Sequence, residues 1–127
     1  MITKQKRPKF LNLMQIHLPV TGVNSFAHRV SGFLLFLSLP ALIYMFNLSL
    51  RDAASLEALL HHLQTPAVRF VFTILAWAIG HHLLAGIRFL LAELDVATSL
   101  PASRRLAWII NLSGVLIFLI AAYLIWS

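Results

Sequence analysis

Two adjacent histidines and Arg88 interrupt the long apolar stretch at residues 68–91, VRFVFTILAWAIGHHLLAGIRFLL, which also carries Arg69 at its start. About 20 apolar residues are enough for a helix to cross a bilayer, so this stretch predicts a membrane span. Ionisable side chains are costly in lipid and usually mark a functional site there, which directs attention to His81, His82 and Arg88. An imidazole in such a helix can ligate a haem iron or exchange a proton.

His82 shares its predicted helix face with small residues. Ala78, Ala85 and Gly86 stand at positions i−4, i+3 and i+4, and side chains three or four residues apart lie on one face. Such a lane leaves room for a flat macrocycle against the helix backbone. The same spacing also allows a second helix to approach closely. Both interpretations place His82 against protein and not against lipid.

His81 has bulkier neighbours than His82. Trp77 precedes it by four residues, and Arg88 follows it by seven. If one histidine is an axial haem ligand, sterics therefore favour His82. The alternative is a neutral histidine that only forms a hydrogen bond to a neighbouring helix.

A second polar cluster lies at the start of another apolar stretch and contains Ser25, His28 and Arg29. Arg29 is expected at the same membrane depth as Arg88. Two arginines and a histidine at one depth suit haem propionates or a quinone carbonyl. Taken singly, each arginine also fits the role of an anchor that reaches the phosphate layer.

The composition is that of a membrane protein. Of 127 residues, 60% are hydrophobic and 11% are charged, whereas soluble domains average about 45–50% and about 25%. The chain leaves no room for a separate soluble catalytic domain, and its lack of cysteine excludes a thiolate ligand or an iron–sulfur cluster. The net charge of +6 comes from basic residues at predicted helix ends, which indicates membrane orientation and not nucleic-acid binding.

We predict an all-α membrane protein with one membrane-anchor domain over residues 1–127 and three spans at about 24–50, 67–92 and 106–126. Residues 1–23 are predicted to form an amphiphilic arm at the cytoplasmic surface. We interpret its basic residues as a signal for membrane orientation and not as a transit peptide. Asn24 or Ser25 is the expected N-cap of the first span, and Pro40 is expected to kink it.

The two predicted loops differ in character. Residues 51–66 contain AASLEALLHHL, whose spacing suits a short interfacial helix. His61 and His62 in that segment read as solvated and not as a metal site, because further ligands at suitable spacing are missing. Residues 93–105 form the second loop.

Basic residues are distributed unequally between the two sides of the membrane. Three spans place the N-terminus and the second loop on one side, with Lys4, Lys6, Arg7, Lys9, Arg104 and Arg105, against Arg51 and Arg69 on the other. Since Lys and Arg are enriched on the cytoplasmic side, we predict an N-in, C-out topology.

Two motifs resemble a known family, the cytochrome b556 subunit of succinate dehydrogenase, which is the larger membrane anchor of respiratory complex II. The first comprises Arg7-Pro8, Pro19-Val20-Thr21 and Ser25-x-x-His28-Arg29-Val30-Ser31-Gly32. The second is His82-x-x-x-Gly86-Ile87-Arg88, followed by the acidic Glu93. The resemblance covers nearly the whole chain.

The resemblance implies roles for particular residues. His82 corresponds to an axial ligand of haem b, and Ser25 and Arg29 correspond to a ubiquinone-site pair. His28, Arg29 and Arg88 would lie on the haem propionate side. Phe89 stands where many members have a histidine, which is a departure from the family pattern.

The resemblance also implies partners and a location. A flavoprotein subunit and an iron–sulfur subunit would dock on the cytoplasmic face, and a small anchor subunit would complete the helical bundle and supply the second haem ligand. The expected location is the bacterial inner membrane, and the expected activity is electron transfer to ubiquinone. Rival hypotheses are a haem-free structural subunit, a fumarate reductase anchor and a proton-conducting component.

Overall fold

The computed structural model describes residues 17–127, which are helical apart from short connections. The helices are α1 (Val20–Arg51), α2 (Ala53–Leu63), α3 (Pro66–Glu93) and α4 (Leu100–Trp126). Of these, α1, α3 and α4 are long and apolar enough to cross a membrane. Over residues 17–127, the predictions of an all-α fold and of three helices able to span a membrane are confirmed. Most of the predicted arm, including Lys4, Lys6, Arg7 and Lys9, lies outside the described residues.

Helix α1 begins earlier than predicted. Pro19, with extended backbone angles (φ −63°, ψ 158°), is its N-cap, and the Pro19 carbonyl accepts from the Val23 N–H at 3.0 Å. The prediction of Asn24 or Ser25 as the N-cap is therefore wrong. Asn24 lies inside the helix and is fully buried, because its amide bonds to other helices instead of to the local backbone. The helix continues through Pro40.

Helix α4 also begins earlier than predicted, at Leu100 instead of residue 106. Pro101 occupies its first turn, where a missing N–H removes no helical hydrogen bond. Between α3 and α4, Asp95 and Ala97 adopt left-handed angles, with φ of 57° and 56°. These residues turn the chain sharply so that α4 returns along α3.

The predicted short helix after α1 is confirmed as α2. Asp52 is its N-cap, and its carboxylate accepts from the Ser55 N–H at 2.7 Å and from the Ser55 hydroxyl at 3.0 Å. The Ser55 backbone N–H, followed by the hydroxyl, lowers the pKa of Asp52 below its ordinary value. His61 and His62 are exposed in the last turn of this helix.

Small residues lie where the long helices meet. Ala78 and Ala85 of α3 and Ala107 of α4 are completely buried. A Cβ at Gly80 of α3 would lie 2.6 Å from Cδ1 of Ile117 on α4. Close approach through small residues is the usual way that helices associate in lipid. Ala78 and Ala85 therefore form a helix–helix contact and leave no surface for a macrocycle.

Candidate functional site

His82 is held by the backbone of α1. Its Nδ1 lies 3.1 Å from the His28 carbonyl oxygen and 3.3 Å from Ser31 Oγ. A carbonyl only accepts, so Nδ1 carries the proton and donates to it. The Ser31 hydroxyl donates to the same carbonyl at 2.8 Å. In this tautomer Nε2 of His82 keeps a free lone pair.

The His82 ring is seated between a glycine and a second imidazole. A Cβ at Gly32 would lie 2.8 Å from Cε1 of His82, closer than carbon atoms pack, so the ring occupies space that only glycine leaves. The His28 ring stacks on it with centroids 4.1 Å apart and planes 8° apart. Stacking covers a face of the imidazole and not its edge, where Nε2 lies. His82 remains partly exposed at the surface of the helix bundle.

His81 has a different environment, although it is the neighbouring residue. It is 2% exposed, and neither ring nitrogen has a hydrogen-bond partner within the described residues. Its ring stacks on Trp77 at 5.5 Å, and its Nδ1 would lie 2.9 Å from a Cβ at Gly114 of α4. His81 is thus enclosed within the helix bundle, packed against α4 and beside residues of α1 such as Val23 and Ala27.

Arg88 is directed to α1 and α4. Its Nη1 donates to Asn24 Oδ1 at 3.1 Å, and its Nη2 donates to Ser103 Oγ at 2.9 Å. Asn24 Nδ2 in turn donates to Asn111 Oδ1 at 3.0 Å. The guanidinium therefore joins three helices, and its predicted place on a haem propionate side stays a prediction.

Ser25 and Arg29 lie one turn apart on α1, with Ser25 partly exposed and Arg29 exposed. Positions i and i+4 share a face, so both side chains are available to a ligand on the outer side of this helix. Phe89 contacts the His28 ring edge-on, with centroids 5.1 Å apart, and its own ring lies 5.1 Å from the Arg88 guanidinium. Phe89 thus contacts both the His28 ring and the Arg88 guanidinium.

Sequence reasoning missed three residues that join the helices: Asn24 in this role, Ser103 and Asn111. It also missed the bond from Trp126 Nε1 to Thr73 Oγ1, at 3.2 Å, which links the other ends of α3 and α4. Asn111 offered a signal, because an asparagine within an apolar span usually bonds to another helix. The partners themselves depend on the helix packing and could not be read from the sequence.

The fold and this site define a small helical membrane subunit with a partly exposed, oriented imidazole at the bundle surface. A family model described as succinate dehydrogenase/fumarate reductase transmembrane subunit matches residues 3–126. The succinate dehydrogenase cytochrome b556 subunit of Coxiella burnetii (strain RSA 493 / Nine Mile phase I) is 34% identical over 125 residues, covering 95% of this chain and 98% of that protein. The chain belongs to the succinate dehydrogenase/fumarate reductase transmembrane subunit family, which confirms the resemblance found in its motifs.

Proposed function

We propose that this chain is the haem b-binding and quinone-site anchor of a succinate:quinone oxidoreductase and helps pass electrons from an iron–sulfur subunit to ubiquinone. The observation that carries the proposal is the orientation of His82. Its Nδ1–H is fixed on a backbone carbonyl, and its Nε2 is free at a partly exposed surface. The family and the name of the Coxiella relative support the assignment.

The surroundings of His82 suit a histidine that would bind a haem iron. Metal-ligating histidines almost always donate their second ring N–H to a carbonyl or carboxylate, which fixes the tautomer and raises the basicity of the ligand. His28 supplies that carbonyl at 3.1 Å. His81 lacks such a partner and is enclosed by α4, which argues against it as the ligand. A b-type haem would supply a one-electron carrier, with its second histidine ligand from the small anchor subunit.

Ser25 and Arg29 form the proposed quinone pair. A hydroxyl and a guanidinium on one helix face can both donate to a quinone oxygen, which becomes more negative on reduction. Donors fixed in advance at such an oxygen stabilise the charge as it develops. Arg29 and His28 would also reach a haem propionate. The His28 imidazole is able to exchange protons with a quinone bound nearby.

The proposed assembly follows from the anchor role. A flavoprotein subunit and an iron–sulfur subunit would dock at the end of the bundle that holds Ser25 and Arg29, on the cytoplasmic side of a bacterial inner membrane. The small anchor subunit would pack on the surface where His82 and Arg29 are exposed. The N-in, C-out orientation, with Arg104 and Arg105 on the inner side, belongs to the same proposal.

The quinone role is tested by Arg29→Leu in the assembled complex. We expect quinone reduction to fall about tenfold or more, as for the loss of a charged hydrogen bond to the reacting oxygen. Succinate oxidation with an artificial soluble acceptor should persist. Arg51→Leu, at the other end of α1, is the matched control and should leave both activities intact. If both activities fall together in Arg29→Leu, the residue serves assembly and not the quinone site.

The haem role is tested by the dithionite-reduced absorption spectrum of the purified complex. We expect the bands of a b-type haem. A complex that contains this chain but shows no haem band would support the rival hypothesis of a haem-free structural subunit. The direction of catalysis, succinate oxidation or fumarate reduction, is decided separately by comparing the two rates with quinones of different potential.

A further inference from the structure

Asn24 lies at the centre of a group of polar side chains that joins the three long helices, here called the three-helix junction (Asn24, Arg88, Ser103 and Asn111). Arg88 can only donate, so the Asn24 atom that faces it must be the amide oxygen, and the amide nitrogen must face Asn111. The observed bonds of 3.1 Å and 3.0 Å agree with this orientation. Both polar ends of a completely buried side chain are therefore used.

The junction determines how α1 is placed relative to α3 and α4. Within the described residues, Asn24–Asn111 is the side-chain hydrogen bond that connects α1 with α4. Lipid provides no hydrophobic force between helices, so polar bonds and close packing set their register. A shift of α1 by one residue would move it by about 1.5 Å and rotate it by about 100°. Such a shift would break the bonds of Asn24 to Arg88 and Asn111 and leave its buried amide without these partners.

Ser25 directly follows Asn24, and Arg29 follows one turn later on the same rigid helix. We propose that Asn24 is a positioning residue for the quinone site: by bonding to Arg88 and Asn111 it fixes the rotation of the first turns of α1, and so the direction of Ser25 and Arg29. This inference rests on the proposed function. Asn24 itself does not touch the quinone, because it is buried among helices.

The test compares Asn24→Ala and Asn111→Ala in the assembled complex with Asn47→Ala, an exposed asparagine of the same helix. Both junction variants should raise the KM for a short-chain ubiquinone by about three- to tenfold, the range expected for the loss of a hydrogen bond that orients the site. Succinate oxidation with an artificial acceptor and haem content should stay at the level of the parent. Asn24→Asp, which keeps the acceptor for Arg88, should lie between the parent and Asn24→Ala.

A second readout does not depend on activity. Ala27 of α1 and Leu112 of α4 line one groove, and the chain has no cysteine of its own. In a chain carrying both Ala27→Cys and Leu112→Cys, a short bifunctional thiol reagent should cross-link α1 to α4 within this subunit. Adding Asn24→Ala should lower the yield, because the rotation of α1 is no longer fixed.

An unchanged KM in both junction variants, with intact assembly, would overturn the proposal. It would equally be overturned if quinone and artificial-acceptor activities fell together in both, since Asn24 would then serve assembly alone. The Arg29→Leu variant distinguishes failure of the positioning role of Asn24 from failure of the proposed quinone site. If Arg29→Leu impairs quinone reduction and the junction variants do not, only the positioning role is lost. If Arg29→Leu has no effect, the quinone site itself is misplaced.

Discussion

His81 and His82 are consecutive on α3, yet they face different helices and differ in what surrounds their ring nitrogens. Each ring lies against a glycine of a neighbouring helix. The nearest ring atom lies 2.8 Å from a Cβ placed at Gly32 for His82, and 2.9 Å from one placed at Gly114 for His81. A glycine contact therefore does not distinguish a ligand from a packed side chain.

Hydrogen bonding and exposure separate the two histidines. His82 has its Nδ1 on the His28 carbonyl and is partly exposed, whereas His81 has neither nitrogen bonded and is 2% exposed. Consecutive helix residues point about 100° apart, which is enough to send one ring to α1 and the other to α4. An oriented imidazole with one free nitrogen suits a metal, and an enclosed one does not.

The comparison is tested most strongly by removing each ring. His82→Ala should abolish the reduced b-type haem bands of the complex, because it removes the imidazole whose Nδ1 is fixed on the His28 carbonyl. His81→Leu should retain them. The measurement is the dithionite-reduced spectrum with haem quantified per complex. Bands that survive His82→Ala and vanish in His81→Leu would reverse the assignment.

A smaller effect is expected from the seat of the His82 ring. Gly32→Ala places a methyl group 2.8 Å from His82 Cε1, and overpacking of this kind typically costs about 1–3 kcal/mol. We expect reduced haem occupancy or a shifted haem potential, measured by redox titration. Gly22→Ala is the control in the same helix, since its nearest contact is an ordinary 3.4 Å to Pro19. If Gly32→Ala and Gly22→Ala have the same haem occupancy and haem potential, the His82 ring does not need the space that Gly32 leaves.

The enclosed histidine should contribute little to stability or even reduce it. Burying an unsatisfied polar group costs about 1–3 kcal/mol, and an apolar replacement of similar size can be neutral or stabilising. His81→Leu should therefore leave the Tm of the complex unchanged or raise it. A clear fall in Tm would indicate that His81 has a hydrogen-bond partner in the assembled complex.

The smallest effect is expected far from both histidines, at the N-cap of α2. The Ser55 N–H lowers the pKa of Asp52, so the charged cap stabilises the fold above the ordinary value of 3.8 and is lost as pH falls through the lowered pKa. Asp52→Ala should lower the Tm slightly at pH 7, and the difference from the parent should shrink towards that acid range. Haem and quinone activities should not change. A Tm difference between Asp52→Ala and the parent that grows at low pH would contradict the expected pH dependence of this cap.

Much of this protein was predictable from local sequence. Hydropathy was sufficient for three spans, because each had to be long and apolar enough to cross lipid. The motifs around His28 and His82 identified the family, which the comparisons confirmed. The preference for His82 over His81 also came from the sequence. One of its grounds was wrong, however, because Ala78 and Ala85 are buried between helices and leave no room for a macrocycle beside His82.

Tertiary structure alone decided which face of each helix meets which neighbour. The bonds of the Arg88 guanidinium to Asn24 and Ser103 became known only from the helix packing, and its place on a haem propionate side stays a prediction. Asn24 looked like a helix cap and is instead the centre of the three-helix junction. Periodicity shows which residues share a face. In lipid, however, an apolar face does not determine which helix packs against it, because the lipid tails are equally apolar. The partners of Asn24, Arg88 and His81 are therefore set by helix packing.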